Sequence, residues 1–214
     1  MIKVKTFTVN MFGVNTYVLW NPESLEAAII DPGMIHDDEK ARIDHFIMDN
    51  GLLVKNLINT HMHVDHIFSD LYIKNKYNVP VQGSQFDSFL GERAATQCRM
   101  FGLPDDMMGV EIDEELTDGQ IKTVCGEEMK VMLVPGHSPG SLALYFPESG
   151  IVFTGDVLFR NSIGRTDLVA GNYNTLMESI KKKLFTLPDT TEVYPGHGEL
   201  TTIGYEKENN PYVI

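Results

Sequence analysis

Four apolar runs in this chain end in the same way. Val54–Ile58 leads to His61, Val131–Val134 to His137, Ile151–Phe153 to Asp156, and Val193-Tyr194 to His197. Each run reads as a buried strand that delivers an imidazole or a carboxylate just past its end. Glycine stands directly before three of these residues, at 136, 155 and 196, and lets backbone approach a crowded centre. Loops held by a rigid sheet are where reactive side chains concentrate. The pattern therefore calls for a layered α/β fold that delivers these residues from its strand ends.

The first of these deliveries is dense. Thr60-His61-Met62-His63-Val64-Asp65-His66 packs four potential ligands into seven residues, and an HxHxDH run has little structural reason to exist. A lone histidine after a strand is usually a hydrogen-bonding residue; this cluster, joined by three further ligand types at strand ends, reads as a metal centre. Imidazole and carboxylate suit Zn, Fe or Mn, and no thiolate stands near these loops. The candidate ligands are His61, His63, Asp65, His66, His137, Asp156 and His197. Seven ligands with one bridging can hold two divalent ions about 3.5–4 Å apart, able to share a hydroxide and polarise a carbonyl. Zinc is expected first, with iron or manganese as alternatives. His36 and His45 fall on a polar helical segment and read as solvated surface. Cys98 and Cys125 read as structural, and the 11 scattered methionines as filling rather than a cofactor box.

Between these points the pattern predicts strands over 2–9, 16–20, 27–30, 53–59, 79–82, 120–125, 128–134, 141–146, 151–154 and 191–195. Helices are expected over 37–50, 67–77, 93–101 and 173–184, and 85–118 reads as an acidic surface excursion with little strand character. No repeat or linker interrupts the chain, so one domain is expected over residues 1–214, with helices outside the sheets. With 17 Lys and Arg against 30 Asp and Glu, the formal net charge is −13. That field repels phosphate backbones and argues against a nucleic-acid partner. There is no apolar run near membrane-span length and no signal-peptide pattern, and two cysteines are few for a disulfide-stapled domain; the cytoplasm is the expected compartment.

Asp31, the THMHVDH run, His137, Asp156 and His197, in that order, make the chain resemble the metallo-β-lactamase superfamily. The resemblance implies a four-layer αββα sandwich with the metals at one edge. Within that superfamily the chain is similar to hydroxyacylglutathione hydrolases of the glyoxalase II type, especially their compact single-domain bacterial relatives. The residues that carry this are Arg99-Met100-Phe101-Gly102-Leu103, the stretch Asn161-Ser162-Ile163-Gly164-Arg165-Thr166-Asp167, and the tail from Gly196-His197-Gly198 to Asn210-Pro211-Tyr212. By position, the resemblance implies His61, His63 and His137 on one metal, Asp65, His66 and His197 on the other, and Asp156 between them. It also implies that Asp31 supports the ligand loop from behind. Two departures stand out. Ile67-Phe68-Ser69-Asp70 replaces small glycines and is expected to reshape the pocket wall. The sequence ends about 17 residues after His197, so the extra helical domain that contacts glutathione in full-length glyoxalase II is expected to be absent.

The expected reaction is hydrolysis of a hydroxyacyl thioester such as S-lactoylglutathione by a metal-bound hydroxide. Asp65 is expected to orient the nucleophile as well as bind metal. Arg165 is the candidate for holding a substrate carboxylate, since its planar fork suits that anion, and a loop salt bridge with Asp167 is the competing reading. The alternative on the same fold is a persulfide dioxygenase with one iron held by His61, His63 or an equivalent, and Asp156. A non-catalytic metal-binding module is disfavoured by the complete ligand set. A secreted β-lactamase is disfavoured by the missing signal pattern and cysteine ligand, and an RNA-processing nuclease by the acidity. The oligomeric state is left open.

Overall fold

The computed structural model describes residues 1–103 and 107–213. The first sheet orders β1 (Lys3–Val9), β2 (Val14–Trp20), β3 (Glu26–Ile30), β4 (Leu53–Ile58), β5 (Val81–Gly83) and β6 (Glu114–Glu115) side by side. Its first three strands are antiparallel neighbours and the rest add in parallel. The second sheet begins with β7 (Ile121–Val124), β8 (Glu127–Leu133), β9 (Leu142–Phe146) and β10 (Ile151–Gly155). A small hairpin follows, β11 (Leu158–Phe159) with β12 (Ser162–Ile163), and then β13 (Glu192–Pro195) and β14 (Thr201–Thr202) complete the second sheet in the order β14-β13-β10-β9-β8-β7.

Period-two alternation turns each strand into a two-sided wall. In β3, Ala28 and Ile30 face the second sheet, while Ala27 and Ile29 face the first sheet's helices. In the second sheet, Leu142, Leu144, Phe146, Ile151 and Phe153 meet Tyr17, Leu19 and Ile58 across the sandwich. Ala143, Tyr145 and Val152 point the other way, onto Leu176 and Ile180. Three apolar layers thus separate helix, sheet, sheet and helix, which is the αββα order. Each fully buried aliphatic or aromatic side chain in them contributes about 1.5–3 kcal/mol relative to exposure.

The helices cross between parallel strands. α1 (Asp37–Asp49) joins β3 to β4; α2 (Val64–Ile67) and α3 (Asp70–Tyr77) lie between β4 and β5. α4 (Ser88–Glu92) and α5 (Ala94–Met100) lead toward β6, α6 (Tyr173–Lys182) precedes β13, and α7 (Ile203–Asn209) follows β14. Glu39 anchors the start of α1: its carboxylate accepts the main-chain N–H groups of Ile35, His36 and Asn10. Asn172 caps α6 through Thr175 N at 3.0 Å. His36 and His45 are exposed, as expected. Cys125 and Gly126 form the two-residue turn of the β7–β8 hairpin with φ of 52° and 79°, the primed geometry that such hairpins favour. Burial pushes the Cys125 thiol up to about 12.

Several boundaries differ from the sequence reading. The helix expected over 67–77 begins only at Asp70 as α3, after a separate turn α2 that ends at Ile67; between them the Ser69 hydroxyl turns inward to Met34 O at 2.6 Å. β2 begins two residues before 16, since Asn15 and Thr16 bury their polar groups against other loops. The acidic excursion over 85–118 carries α4, α5 and the short strand β6, and its residues 104–106 lie outside the described residues. No helix among the described residues is long and apolar enough to cross a membrane.

Candidate metal centre

β4 ends at Ile58, β8 at Leu133, β10 at Gly155 and β13 at Pro195, and all four open onto one edge of the sandwich. The loops behind them are tied together by main-chain bonds: Leu142 N donates to Thr60 O at 2.8 Å, Gly196 N to Gly155 O at 2.8 Å, and Asn15 N to Gly196 O at 2.8 Å. One donor atom each from His61, His63 and His137 lie within 4.8 Å of one another, and so do donor atoms of Asp65, His66 and His197. Asp156 stands between the two trios. Its Oδ1 is 3.4 Å from His66 Nε2, and its Oδ2 is 3.6 Å from His137 Nε2 and 3.4 Å from His197 Nε2. Gly196 is needed there, because a Cβ would run into Asp156 Oδ1 and lie 2.9 Å from His66 Cε1.

Three of the imidazoles, on His66, His137 and His197, are oriented from behind. Asp31 adopts φ of 50° after β3, and its Oδ2 reaches His66 Nδ1 at 3.1 Å. Its two oxygens also accept Thr60 N at 2.7 Å and the Thr60 hydroxyl at 2.6 Å. Asp31 is thereby spent on the outer side of the imidazoles and is a support, although it lies near His61 and His66. His137 Nδ1 faces Arg165 O at 2.8 Å and His197 Nδ1 faces Phe12 O at 3.0 Å, which leaves each Nε2 aimed inward. Such outer partners fix ring orientation and tautomer.

The electrostatics call for a cation. Burial and neighbouring imidazoles hold His61 well below the ordinary histidine range and push His63 down to about 3, so both keep their lone pairs. Burial also opposes a proton on His66 and His197, yet Asp156 and Asp65 outweigh it. They hold His66 well above its usual value and lift His197 to about 9. The carboxyls of Asp65 and Asp156 are held low despite burial by those same two imidazoles. Asp156 Oδ1, His61 Nε2 and His66 Nε2 are buried without a hydrogen-bond partner. Each such orphan costs about 1–3 kcal/mol, and divalent ions bound at the two trios would satisfy all three.

Three residues that the sequence reading did not single out hold the ligand loops in place. Asp87 is fully buried and accepts Met62 N at 3.3 Å, the Ser138 hydroxyl at 2.6 Å and Gly140 N at 2.6 Å, joining the His61–His66 loop to the His137 loop. Gln97 clamps the first loop through Val64 N and Met62 O, both at 3.1 Å. Asn15 donates to Pro195 O at 3.1 Å and Gly198 O at 2.9 Å around His197. No local pattern marks these side chains, because their partners are 25 to 183 residues away.

A cleft of about 360 Å3 opens over the centre. His63, Asp65, His137, Asp156 and His197 form its floor, and Phe12, Phe101, Phe159, Ile163 and Leu168 its walls. Arg165 lines it too, but its guanidinium is paired bidentately with Asp167, Nε to Oδ1 and Nη2 to Oδ2 both at 2.7 Å. Phe68 does not line the cleft. It packs on the helix side of the first sheet, so the expectation that bulk at 67–70 reshapes the pocket wall is corrected.

A two-sheet sandwich with histidine and aspartate clusters at one edge defines a class of metal-dependent hydrolases. The chain belongs to the metallo-β-lactamase superfamily, whose family model matches residues 9–197. It is 37% identical to the hydroxyacylglutathione hydrolase GloC of Haemophilus influenzae, covering 99% of this chain and 98% of that protein. The crystal structure of the BLEG-1 B3 metallo-β-lactamase superposes with a TM-score of 0.90 at 35% identity, over 99% of each chain. TTHA1623 in a di-iron-bound form superposes with a TM-score of 0.84 at 34% identity, over 97% of this chain and 99% of that one. The family and the donor clusters imply divalent metals and a small-molecule substrate.

Proposed function

We propose that this metal-dependent hydrolase is a single-domain cytoplasmic thioesterase, using two divalent ions to cleave acyl thioesters of the S-lactoylglutathione kind. The observation that carries this reading is the convergence of all seven candidate ligands, with three buried polar atoms left unpaired at their centre. His61, His63 and His137 would hold one ion and Asp65, His66 and His197 the other, with Asp156 shared. The identity to GloC supports the thioester class. Zinc is the first metal to load, and iron the second because the TTHA1623 relative holds two. The small number of cysteines supports a reducing compartment.

Bound ions of this kind supply an activated water and polarise the carbonyl under attack. The chain's own residues do the positioning. Asp65, 17% exposed and 3.4 Å from His197 Nε2, faces the cleft and orients the attacking water through Oδ2. Asn10 holds the Asp65 backbone by donating to its carbonyl at 3.1 Å. Arg165 at the cleft rim takes a carboxylate of the thiol carrier when its fork turns from Asp167.

The competing reading, persulfide dioxygenation at one iron, needs only the first trio and Asp156. His66 and His197 therefore discriminate. His66→Ala and His197→Ala should each cost at least about a hundredfold in thioester turnover, and redox-inert zinc should support activity. Oxygen uptake with glutathione persulfide that survives both substitutions, with zinc-loaded protein inert, would replace the thioesterase reading.

A further inference from the structure

Three consecutive residues at the tip of the β11–β12 hairpin are each held by the C-terminal segment. Arg160 lays its guanidinium over the Tyr205 ring, 5.0 Å from the centroid. Asn161 N donates to Glu206 Oε2 at 3.0 Å, and Ser162 O accepts Asn210 Nδ2 at 3.0 Å. Tyr205 and Glu206 lie on α7, and Asn210 caps its end. The tail that runs to Asn210-Pro211-Tyr212 thus meets the hairpin rather than the metal ligands. Resting on the thioesterase reading, we propose that Glu206 is a positioning residue. It clamps the hairpin so that Phe159 and Ile163 form a fixed wall for the substrate.

Glu206 and Asn210 are both fully buried. A carboxylate taken out of water must be met by donors, and Glu206 collects three. Asn161 N and Asn210 Nδ2, the latter at 2.7 Å, reach Oε2, while the Thr201 hydroxyl reaches Oε1. Asn210 spends the same amide nitrogen on Ser162 O, so carboxylate, amide and hairpin form one network. Arg160 and Asn161 are the two-residue turn itself, and Asn161 takes φ of 57°, a left-handed value that asparagine tolerates. A ladder of two residue pairs cannot hold its own shape in water, and α7 supplies what it lacks.

What the hairpin carries is one side of the cleft. Phe159, Ser162 and Ile163 line it, and the Phe159 ring stands edge-on to His197 with centroids 6.2 Å apart. The base of the hairpin is secured separately. Gly164 N donates to Val157 O at 3.3 Å, and Gly164 packs so closely on Asp156 O that a Cβ has no room. Arg165 O, next along, faces His137 Nδ1 at 2.8 Å. Loosening the tip should therefore displace the wall and leave the metal ligands seated. A wall that touches substrate in ground and transition states alike acts on KM rather than on kcat.

The test compares Glu206→Ala with Glu206→Gln in the zinc-loaded full chain, using S-lactoylglutathione as substrate. Glu206→Ala should raise KM about tenfold, change kcat less than about threefold and keep the wild-type metal content. Amide hydrogen exchange over 158–163 should quicken roughly tenfold or more. Glu206→Gln should restore wild-type KM and exchange. Its amide oxygen can accept Asn161 N and Asn210 Nδ2 while its NH2 donates to the Thr201 hydroxyl, which turns from donor to acceptor. Arg160 is 45% exposed, so Arg160→Ala should fold even where Glu206→Ala does not. It should quicken the same exchange and raise KM about threefold. Unchanged KM and exchange in the folded variants, a KM that rises only with loss of metal, or a Gln variant as impaired as the Ala one would overturn the clamp. If no thioester is cleaved but exchange follows this order, the clamp stands and the thioesterase reading falls.

Discussion

Asp31 Oδ2 lies 3.1 Å from His66 Nδ1, and the same carboxylate grips Thr60, whose hydroxyl is 3.1 Å from His61 Nδ1. One buried carboxylate thus orients two imidazoles without entering the centre. Asp31→Ala should weaken metal binding by about 10–100-fold, the usual effect of losing such a support. Competition with a chelator of known affinity measures it. Unchanged affinity would mean that loop packing alone orients the rings.

Asp156 faces both trios, with Oδ1 toward His66 and Oδ2 toward His137 and His197. Wild-type protein should carry about two ions per chain, and Asp156→Ala should lose both together. Elemental analysis after dialysis reads this directly. A variant that kept two tightly held ions would rule out a shared carboxylate.

Arg165 and Asp167 are both largely exposed, 55% and 68%, so their pair adds little to stability. Arg165→Ala should leave the melting temperature and metal content unchanged. It should raise KM roughly tenfold for a carboxylate-bearing thioester, the scale of one charge-assisted hydrogen bond. Asp167→Ala frees the fork and should lower KM. If neither substitution moves KM, the pair only ties the loop.

Metal loading should be proton-linked. Without metal, Asp156 and Asp65 hold protons on His66 and on His197, the latter up to about 9. Their folded values lie above the ordinary 6.5, so the stability they contribute is complete below pH 6.5, and the His197 part is lost as pH rises through about 9. Chelated protein should therefore melt progressively lower between those pH values. Metal, which needs unprotonated imidazoles, should bind more tightly across the same range and release protons on addition at pH 7.5. Calorimetry in buffers of different ionisation enthalpy counts them. A flat melting profile without metal, and no proton release, would contradict this electrostatic picture.

The candidate ligands were legible as a set because each member is announced locally. A run of two to five residues that reads as a buried strand and is followed by His or Asp needs no partner to be recognised, and HxHxDH is improbable as surface or core. The layers were legible for the same reason: Ala27 to Ile30 alternate faces whatever packs against them. Short elements were not. β6, β11, β12 and β14 have two residues each, too few for a period, and α7 of seven residues went unmarked.

By itself, then, the sequence determined a layered α/β fold with helices outside, the seven ligand candidates and their delivery at strand ends, since these follow from local pattern and side-chain chemistry; the four-layer αββα order came with the family resemblance. Tertiary structure alone decided that Asp31 backs His66, that Asp87 and Gln97 lock the ligand loops, that Phe68 turns away from the cleft, and that Arg165 meets Asp167 at its rim. It also decided the clamp on the β11–β12 hairpin, where Arg160 and Asn161 meet Tyr205 and Glu206 of α7. Contacts between residues so far apart depend on how two sheets pack, and no periodicity along a single chain encodes that distance.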